Sequence, residues 1–330
     1  MNAGPRRAAI IPKRRRRIRH AAAVLASSVL LASAPGCSLL RCGHSSDYTA
    51  SPFFTTPPAV WTQARTVRVV TYNIKDMYVL SEHRKARMAG LATALVAAKP
   101  DIVCLQEGFV ADDVERLTMA LHDLGLVHVV DFPSGVLGSG LWTLSRFPIR
   151  ETYFLRFSKN GAMSDTKGGD WWAGKGVGLA RIEVAPGELL DVYNTHMICG
   201  LGAKELVAHR RVQVREHAGF ATGATPHTVP ALLAGDFNCG YGRAGTDGDF
   251  LQYVMRWEPM LQRRYGFDHI FARSHGGSYR FTATGELAFS GHTTVGEPPL
   301  PISLSDHTGL LAEVRIEPPA PPPTTTTDAR

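Results

Sequence analysis

The chain has 330 residues and a formal net charge of +7, and 44% of its residues are hydrophobic. Eight of its 36 basic side chains lie between residues 6 and 19, and without them 28 basic side chains stand against 29 acidic ones. The remainder is therefore nearly neutral, which excludes a net electrostatic bias toward nucleic acid.

The N-terminal segment is predicted to be an export signal. Its basic stretch precedes 14 small, apolar residues, Ala21 to Ala34, a run that suits a secretory signal and is short for a membrane span. Cleavage after the small residues 32–34 would release a secreted protein, whereas processing before Cys37 would leave a lipoprotein with an acyl anchor. A retained N-terminal anchor is the third alternative. We expect residues 1–36 to be the signal and the protein to be exported.

Composition divides the rest of the chain into three parts. Residues 37–66 are rich in Ser, Thr and Pro and are predicted to form a tether. Residues 317–330 contain the run PPAPPPTTTT and are predicted to be a disordered tail. Residues 67–316 keep one alternating pattern throughout, and their length suits a single large domain.

Within this domain the hydrophobic pattern predicts an α/β fold. Helices are predicted over residues 84–99, 114–124 and 203–220, and a Gly-rich loop over 161–174. Strands are predicted at residues 67–74, 101–106, 126–131, 140–145, 149–157, 176–184, 189–195, 229–234, 267–272 and 310–316. Strand-rich halves with interspersed helices favour two sheets packed face to face with helices outside.

Polar side chains recur where these apolar runs end. They are Asn73 in VVTYNI, Glu107 in DIVCLQE, His196 in LLDVYNTH, Asp236 and Asn238 in ALLAGDFN, Asp268 in GFDHIF, and Asp306 and His307 in SLSDH. Strand ends present side chains to a shared crevice. Carboxylates, carboxamides and imidazoles together suit a hard divalent cation, an activated water and a phosphate. The ordered set predicts metal-assisted phosphoester hydrolysis.

The series TYNI, LQE, NTH, GDFN and SDH resembles the endonuclease/exonuclease/phosphatase superfamily over nearly the whole span from Val67 to Ile316. The resemblance implies a four-layered α/β sandwich, in which two central mixed β-sheets are flanked by helices. It also implies phosphoester cleavage that depends on Mg²⁺, with Mn²⁺ as the alternative metal.

One segment makes the resemblance more specific. The stretch Asp170-Trp-Trp-Ala-Gly-Lys175-Gly176 is similar to the D-x4-K-G motif of the neutral sphingomyelinases, and the segment 139–149 also resembles that group. The bacterial secreted members carry a late hairpin with paired aromatic residues for membrane insertion. Residues 274–301 contain no adjacent aromatic pair, so the substrate is less firmly implied than the reaction.

The motifs also suggest how a metal and a water would be handled. Glu107 is the expected metal ligand because its carboxylate is a hard oxygen donor, and Asn73 is expected to orient Glu107 or to touch the metal shell. His307 is the expected general base. The resemblance implies that Asp268 fixes the tautomer of His307, and Asp306 is expected near the same water or metal.

The remaining motif residues are expected to contact the phosphate. His196 should donate to a non-bridging oxygen as charge develops there. Asp236 should orient the nucleophile or the metal-bound water, and Asn238 should hydrogen-bond the phosphate, since both point the same way if the backbone is extended. Lys175 should line the substrate site or brace it through Asp170.

These expectations predict an exported, monomeric phosphodiesterase acting at a membrane surface on sphingomyelin or a related phospholipid. The alternatives are an extracellular endonuclease of the same superfamily and a non-catalytic surface binding protein that has kept the fold. An inositol-phosphate phosphatase is disfavoured because the sequence has no dense basic cluster. Cys104 is expected to be a buried thiol, and a disulfide between Cys199 and Cys239 remains open.

Overall fold

The structure, a computed structural model, describes residues 58–163, 169–199, 204–240, 258–262, 266–273 and 279–319. The predicted export signal, Cys37, most of the predicted tether and the residues from 320 onward lie outside this part. Within it, every helix is too short or too polar to cross a membrane.

The described residues form fourteen strands and four α-helices. The strands are β1 (Arg65–Asp76), β2 (Ile102–Gly108), β3 (His128–Asp131), β4 (Trp142–Ser145), β5 (Ile149–Arg156), β6 (Gly176–Ala185), β7 (Glu188–His196), β8 (Ala231–Asp236), β9 (Glu258–Gln262), β10 (Asp268–Arg273), β11 (Arg280–Phe289), β12 (His292–Val295), β13 (Leu300–Ser303) and β14 (Gly309–Glu317). The helices are α1 (Arg84–Ala98), α2 (Ala111–Ala120), α3 (Asp170–Ala173) and α4 (Lys204–Ala224).

Twelve of these strands form two mixed sheets of six. The first sheet has the order β11-β14-β1-β2-β4-β3, and the second has the order β5-β6-β7-β8-β10-β9. In each sheet one central pair is parallel, β1 with β2 and β7 with β8, while the other pairs are antiparallel. The strands β12 and β13 form a separate antiparallel hairpin.

The alternation of side chains along each strand explains the layers. One face of each sheet contributes to a shared apolar core, in which Val69 and Ile102 of the first sheet are clustered with Val192 and Leu232 of the second. Residues one position away point to the opposite faces. There the helices α1 and α2 cover the first sheet, and α4 covers the second. The four-layered α/β sandwich implied by the sequence is confirmed.

The helix α1 shows why the sequence pattern was informative. Met88, Leu91 and Leu95 recur at helical spacing and are buried against the first sheet, as expected for an amphipathic helix. Lys99 adopts a left-handed conformation after the last turn, and Pro100 cannot continue the helix. The observed end lies within one residue of the predicted one.

Several elements differ from the sequence expectation. The strands β9, β11, β12 and β13 were not predicted, and the predicted Gly-rich loop contains the short helix α3. The predicted tether extends to residue 66, but Trp61 is already buried and its Nε1 donates to the carbonyl of Leu189 at 3.0 Å. The end of that segment therefore belongs to the folded domain.

The cysteine question is settled within the described residues. Cys104 and Cys199 are not in disulfides, so the bridge between Cys199 and Cys239 is not formed. Cys104 is fully buried in the core between the sheets, as expected from the apolar run around it.

Candidate active site

Strand register brings the sequence motifs to one end of both sheets. In the first sheet Asn73 pairs with Gln106, which places Glu107 beside it at the end of β2. In the second sheet His196 pairs with Asp236, and Asp268 lies opposite Asp236 on the other side. The carboxyl ends of β1, β2, β7 and β8 therefore meet the start of β10.

Asn73 connects the two sheets through its carboxamide. Its Nδ2 donates to Glu107 Oε1 at 3.1 Å and to Asp236 Oδ2 at 3.0 Å, while its Oδ1 accepts from the backbone N–H of Lys75 at 3.1 Å. The side chain is fully buried and all of these groups are satisfied. Asn73 thus holds the carboxylates of Glu107 and Asp236 in a fixed relation to each other.

Glu107 has an unusual backbone conformation. Its φ of 57° is in the left-handed region, and a Cβ on the neighbouring Gly140 would lie 3.2 Å from Glu107 Cα and 2.8 Å from the Phe109 ring. Only glycine at position 140 allows that approach without displacement. Burial raises the pKa of the Glu107 carboxyl, against the lowering effects of Lys175 and the Asn73 hydrogen bond.

His196 and Lys175 form a second buried group. His196 Nε2 lies 2.9 Å from Lys175 Nζ and 3.3 Å from Asp236 Oδ2, so it can accept from the ammonium or donate to the carboxylate. Lys175 also pairs with Asp170 at 2.6 Å and donates to the carbonyl of Met197 at 3.0 Å. Burial and the nearby positive charges hold the pKa of His196 well below its usual value, so the ring is neutral.

Asp236 and Asn238 do not share an extended segment. Asn238 has a φ of 50°, and its backbone N–H donates to Asp236 Oδ1 at 2.9 Å. The Nδ2 of Asn238 donates to the carbonyl of Met197 at 2.8 Å. The condition for both side chains to point the same way is therefore not met. In this structure the amide of Asn238 secures the loop after His196 rather than facing an open space.

His307 completes the centre from the segment before β14. Its Nδ1 lies 2.9 Å from Asp268 Oδ2, and its Nε2 lies 3.7 Å from Asp236 Oδ2. Burial acts to lower the pKa of His307, but the hydrogen bond with Asp268 and the charge of Asp236 outweigh burial and raise this pKa to about 9. The pairing with Asp268 is the one that the family resemblance implied.

Asp306 lies apart from the other carboxylates. Its Oδ2 pairs with Lys75 Nζ at 2.5 Å, and 54% of its side chain is exposed. Burial acts to raise the pKa of Asp306, but the hydrogen bond and charge of Lys75 outweigh burial and lower it. The structure therefore places Asp306 at the rim, next to His307 in sequence but engaged with a cation of its own.

The residues present fit a hard divalent cation. Within the described residues, Asp236, Asp268 and His307 bring one ligand atom each to within 4.8 Å of one another. Burial, followed by the charge of Asp268, raises the pKa of Asp236 to about 6. Glu107 is not part of this trio but is joined to Asp236 through Asn73. Clustered oxygen donors of this kind are what Mg²⁺ prefers.

Two supporting residues were not predicted from the sequence. Ser305 Oγ donates to the carbonyl of Asn73 at 2.7 Å and accepts from the backbone N–H of His307 at 3.2 Å. Arg87 is buried on α1, where its guanidinium donates to the carbonyl of Leu304 at 2.8 Å and to those of Ile74 and Lys75. Its position four residues before Leu91, on the buried helix face, was the available signal.

The sequence matches the profile of the endonuclease/exonuclease/phosphatase family over residues 70–307. Among curated proteins, it is 35% identical to a putative neutral sphingomyelinase of Drosophila melanogaster over 174 residues, covering 52% of this chain and 39% of that protein. It is 33% identical to sphingomyelin phosphodiesterase 2 of Mus musculus over 174 residues, covering 52% and 41%. The match thus spans less than half the length of these relatives.

Solved structures share the fold at lower identity. Sphingomyelinase C from Streptomyces griseocarneus aligns with a TM-score of 0.58 and 19% identity, covering 76% of this chain and 99% of that one. A beta toxin from Staphylococcus aureus with bound magnesium ions aligns with a TM-score of 0.61 and 14% identity, covering 76% and 99%. At these identities the likeness concerns the architecture alone.

Proposed function

We propose that this chain, which belongs to the endonuclease/exonuclease/phosphatase family, is a metal-dependent phosphodiesterase. The observation that carries the proposal is the arrangement around Asp236. One of its carboxylate oxygens lies 3.0 Å from Asn73 Nδ2, 3.3 Å from His196 Nε2 and 3.7 Å from His307 Nε2. Proton-transferring and oxyanion-stabilising groups thus converge on a carboxylate that is also a suitable metal ligand.

Glu107 and Asp236 would hold the metal, because Asn73 fixes both carboxylates through one carboxamide. Asp268 and His307, the other members of the clustered trio, are paired with each other and would serve proton transfer. Bound Mg²⁺ or Mn²⁺ would supply Lewis-acid polarisation of a phosphoryl oxygen. Its positive charge would also oppose the carboxylates of Asp268, Asp236 and Asp306, which raise the pKa of His307, and would favour the neutral ring that a general base requires.

The protein groups then divide the reaction between them. His307 Nε2 takes the proton of the attacking water while the water oxygen forms a bond to phosphorus. Asp268, hydrogen-bonded to Nδ1 at 2.9 Å, stabilises the imidazolium that results. The ester bond to the leaving oxygen breaks, and that oxygen takes up a proton from solvent, while His307 returns its proton to solvent after the reaction. Lys175 and His196 are placed to stabilise the charge on a non-bridging oxygen.

The proposed substrate is sphingomyelin or a related phospholipid. The relatives bear sphingomyelinase names, and Lys175 with Asp170 forms a buried pair at 2.6 Å within the motif typical of that group. Hydrolysis would give phosphocholine and ceramide. The near-neutral domain speaks against an extracellular endonuclease. Export, as a secreted protein or a lipoprotein acylated at Cys37, is part of the same proposal and is supported by the N-terminal sequence. A monomeric state is proposed with it.

The test measures phosphocholine release from sphingomyelin vesicles with Mg²⁺, after chelation, and after Mg²⁺ is restored. We expect release that chelation abolishes and that Mg²⁺ recovers. His307→Gln should lower the rate by about 10²–10⁴-fold, the usual contribution of a general base. His122→Gln is the matched control, because His122 is 72% exposed beyond α2.

Other results would favour one of the alternative functions or contradict the metal requirement. Folded protein that releases no phosphocholine would remove the lipid assignment, and plasmid nicking that disappears in His307→Gln would favour the endonuclease. Release that survives chelation would contradict the metal requirement. Failure to bind Mg²⁺ or Mn²⁺ in a titration, together with no hydrolysis, would favour the binding protein.

A further inference from the structure

Three adjacent apolar side chains are exposed beside the candidate active site. Tyr78, Val79 and Leu80 are 61%, 66% and 67% exposed, in the loop that joins β1 to α1. A single exposed apolar residue is ordinary on a protein surface. A contiguous group of exposed apolar residues at the rim of a site more often marks an interaction surface. We call this segment the 78–80 loop.

A cavity extends from the 78–80 loop to the ion pair at the rim of the candidate site. It has a volume of about 380 Å³, and Leu80 and Ile302 contribute apolar atoms to its lining. Lys75 and Asp306, the two residues paired at the rim, line it as well. Because Asp306 directly precedes His307, a chain entering between the loop and the β12–β13 hairpin would pass close to the proposed base.

The charges around the loop compensate one another. Lys75 pairs with Asp306 at 2.5 Å, and Arg84 is shared between Asp76 at 3.1 Å and Asp113 at 2.7 Å. The Arg84 guanidinium also lies 5.4 Å from the centre of the Tyr78 ring, which anchors the loop to the start of α1.

This charge balance indicates which kind of surface the apolar loop can bind. Anionic membranes and nucleic acids are recognised by clusters of unpaired Lys and Arg, whereas Lys75 and Arg84 beside the loop are each already paired with a carboxylate. Two further exposed residues beside the loop, Glu82 and Lys85, carry opposite charges. An apolar loop with a neutral border suits a lipid surface whose head groups are themselves neutral overall.

We propose that the 78–80 loop docks on a zwitterionic lipid bilayer, inserting its three apolar side chains beside the mouth of the site. This inference rests on the proposed function and names the surface through which the protein meets its substrate. It assigns that contact to a loop near the start of the domain. The late segment of the sequence, residues 274–301, contains no adjacent aromatic pair that could serve instead.

The test measures binding to vesicles of pure phosphatidylcholine by flotation, so that binding does not depend on turnover of the proposed substrate. The variant Val79→Asp with Leu80→Asp should bind at least about tenfold more weakly, because two apolar groups are replaced by charges at the contact. On sphingomyelin vesicles, its turnover relative to turnover of a water-soluble phosphodiester should fall by a similar factor.

The matched control is Val127→Asp. Val127 is 48% exposed and precedes β3, whose first residue His128 is level with Ser145 and hence with Ile102 at the start of β2. Glu107 lies at the other end of β2, roughly 16 Å away at the usual rise per residue. We expect Val127→Asp to bind vesicles like the unmodified protein, and both variants should keep its thermal unfolding midpoint to within a few degrees.

Each result decides one question. If the loop variant binds phosphatidylcholine vesicles as well as the unmodified protein does, the loop is not the docking surface. Binding only to vesicles that contain phosphatidylserine would overturn the zwitterionic partner. If binding is lost in the loop variant but the unmodified protein hydrolyses no lipid, the docking surface stands and the proposed function fails.

Discussion

Arg87 shows how a residue outside the candidate site can determine its geometry. Its buried guanidinium is hydrogen-bonded to the carbonyls of Ile74 and Lys75, just after Asn73, and to that of Leu304, just before Ser305. Burial lowers the pKa of Arg87, against the raising effect of Asp76. The side chain therefore joins the segments that carry Asn73 and His307, and we assign it a positioning role.

Replacement of Arg87 should damage turnover more than substrate affinity. Arg87→Met leaves buried carbonyls without a donor, which should lower the free energy of unfolding by about 2–4 kcal/mol. Because His307 would lose its fixed relation to Asp236, kcat should fall by about tenfold or more while KM changes little. Urea unfolding and steady-state kinetics on a soluble phosphodiester check both.

Arg87→Lys is the comparison, because it keeps the charge and one donor. It should recover part of kcat, which a merely structural defect would not predict if the two variants are equally stable. Equal changes of kcat in the two variants, or a change confined to KM, would contradict the positioning role.

The sequence predicted which residues belong to the site better than it predicted the hydrogen bonds and ion pairs that these residues make. The polar groups at strand ends could be identified because each follows an apolar run, and the structure brings Asn73, Glu107, His196 and Asp236 together. The pairing of Asp306 with Lys75 depends on where two loops lie, and no local pattern encodes it. For the same reason the left-handed turn at Asn238 could not be foreseen.

At the level of the elements, the approach of β7 to β8 requires a small residue. A Cβ on Gly235 would lie 2.2 Å from the carbonyl oxygen of Thr195 and 2.8 Å from its Cγ2. These two residues are paired one position before His196 and Asp236. Any separation of the strands here is transmitted directly to the site.

Gly235→Ala should therefore be destabilising and should impair activity. We expect the free energy of unfolding to fall by about 1–3 kcal/mol, as for overpacked cores, with a larger fractional loss of turnover. Gly219→Ala on α4 is the control, because a Cβ there meets nothing within 4 Å and should stabilise the helix slightly. A neutral Gly235→Ala variant would show that the strands can shift without penalty.

The missed strands share a physical cause. The sequence of β11, RFTATGELAF, has weak alternation, and a bulge between Thr284 and Glu286 interrupts its pairing with β14. Its strand conformation comes from that partner rather than from its own pattern. By contrast, β2 and β8 begin with continuous apolar runs, IVCL and ALLA, and were predicted because both of their faces are buried.

For the molecule as a whole, buried neutral histidines should make stability depend on pH. His217 is fully buried on α4, with its ring centre 5.5 Å from that of Tyr193, and burial lowers its pKa to about 3. His269 is also fully buried, and burial lowers its pKa to about 4. In the unfolded chain both would titrate near the ordinary value of about 6.5.

Acidification should therefore destabilise the fold through these groups. Above pH 6.5 both states are neutral at these positions, and as the pH falls toward 3 the unfolded chain binds protons that the folded one does not. At pH 5 each histidine should account for about 2 kcal/mol of lost stability. His217→Phe should reduce the loss between pH 8 and pH 5 by about that amount.

Urea unfolding at the two pH values, with chelator present throughout, measures this difference. Only the change between pH values matters, so any constant effect of the substitution on stability cancels. An identical pH dependence in the two proteins would show that His217 is not kept neutral by burial.

The position of β14 has a consequence for biosynthesis. This strand is the last described one in chain order, yet it lies inside its sheet between β1 and β11, and His307 lies two residues before its first residue. The ribosome synthesises the chain from its N-terminus, so Asn73 and Glu107 emerge long before His307. Under the proposed function, the nascent polypeptide should remain inert until β14 is inserted. That delay would spare the membranes of the cell that makes the protein.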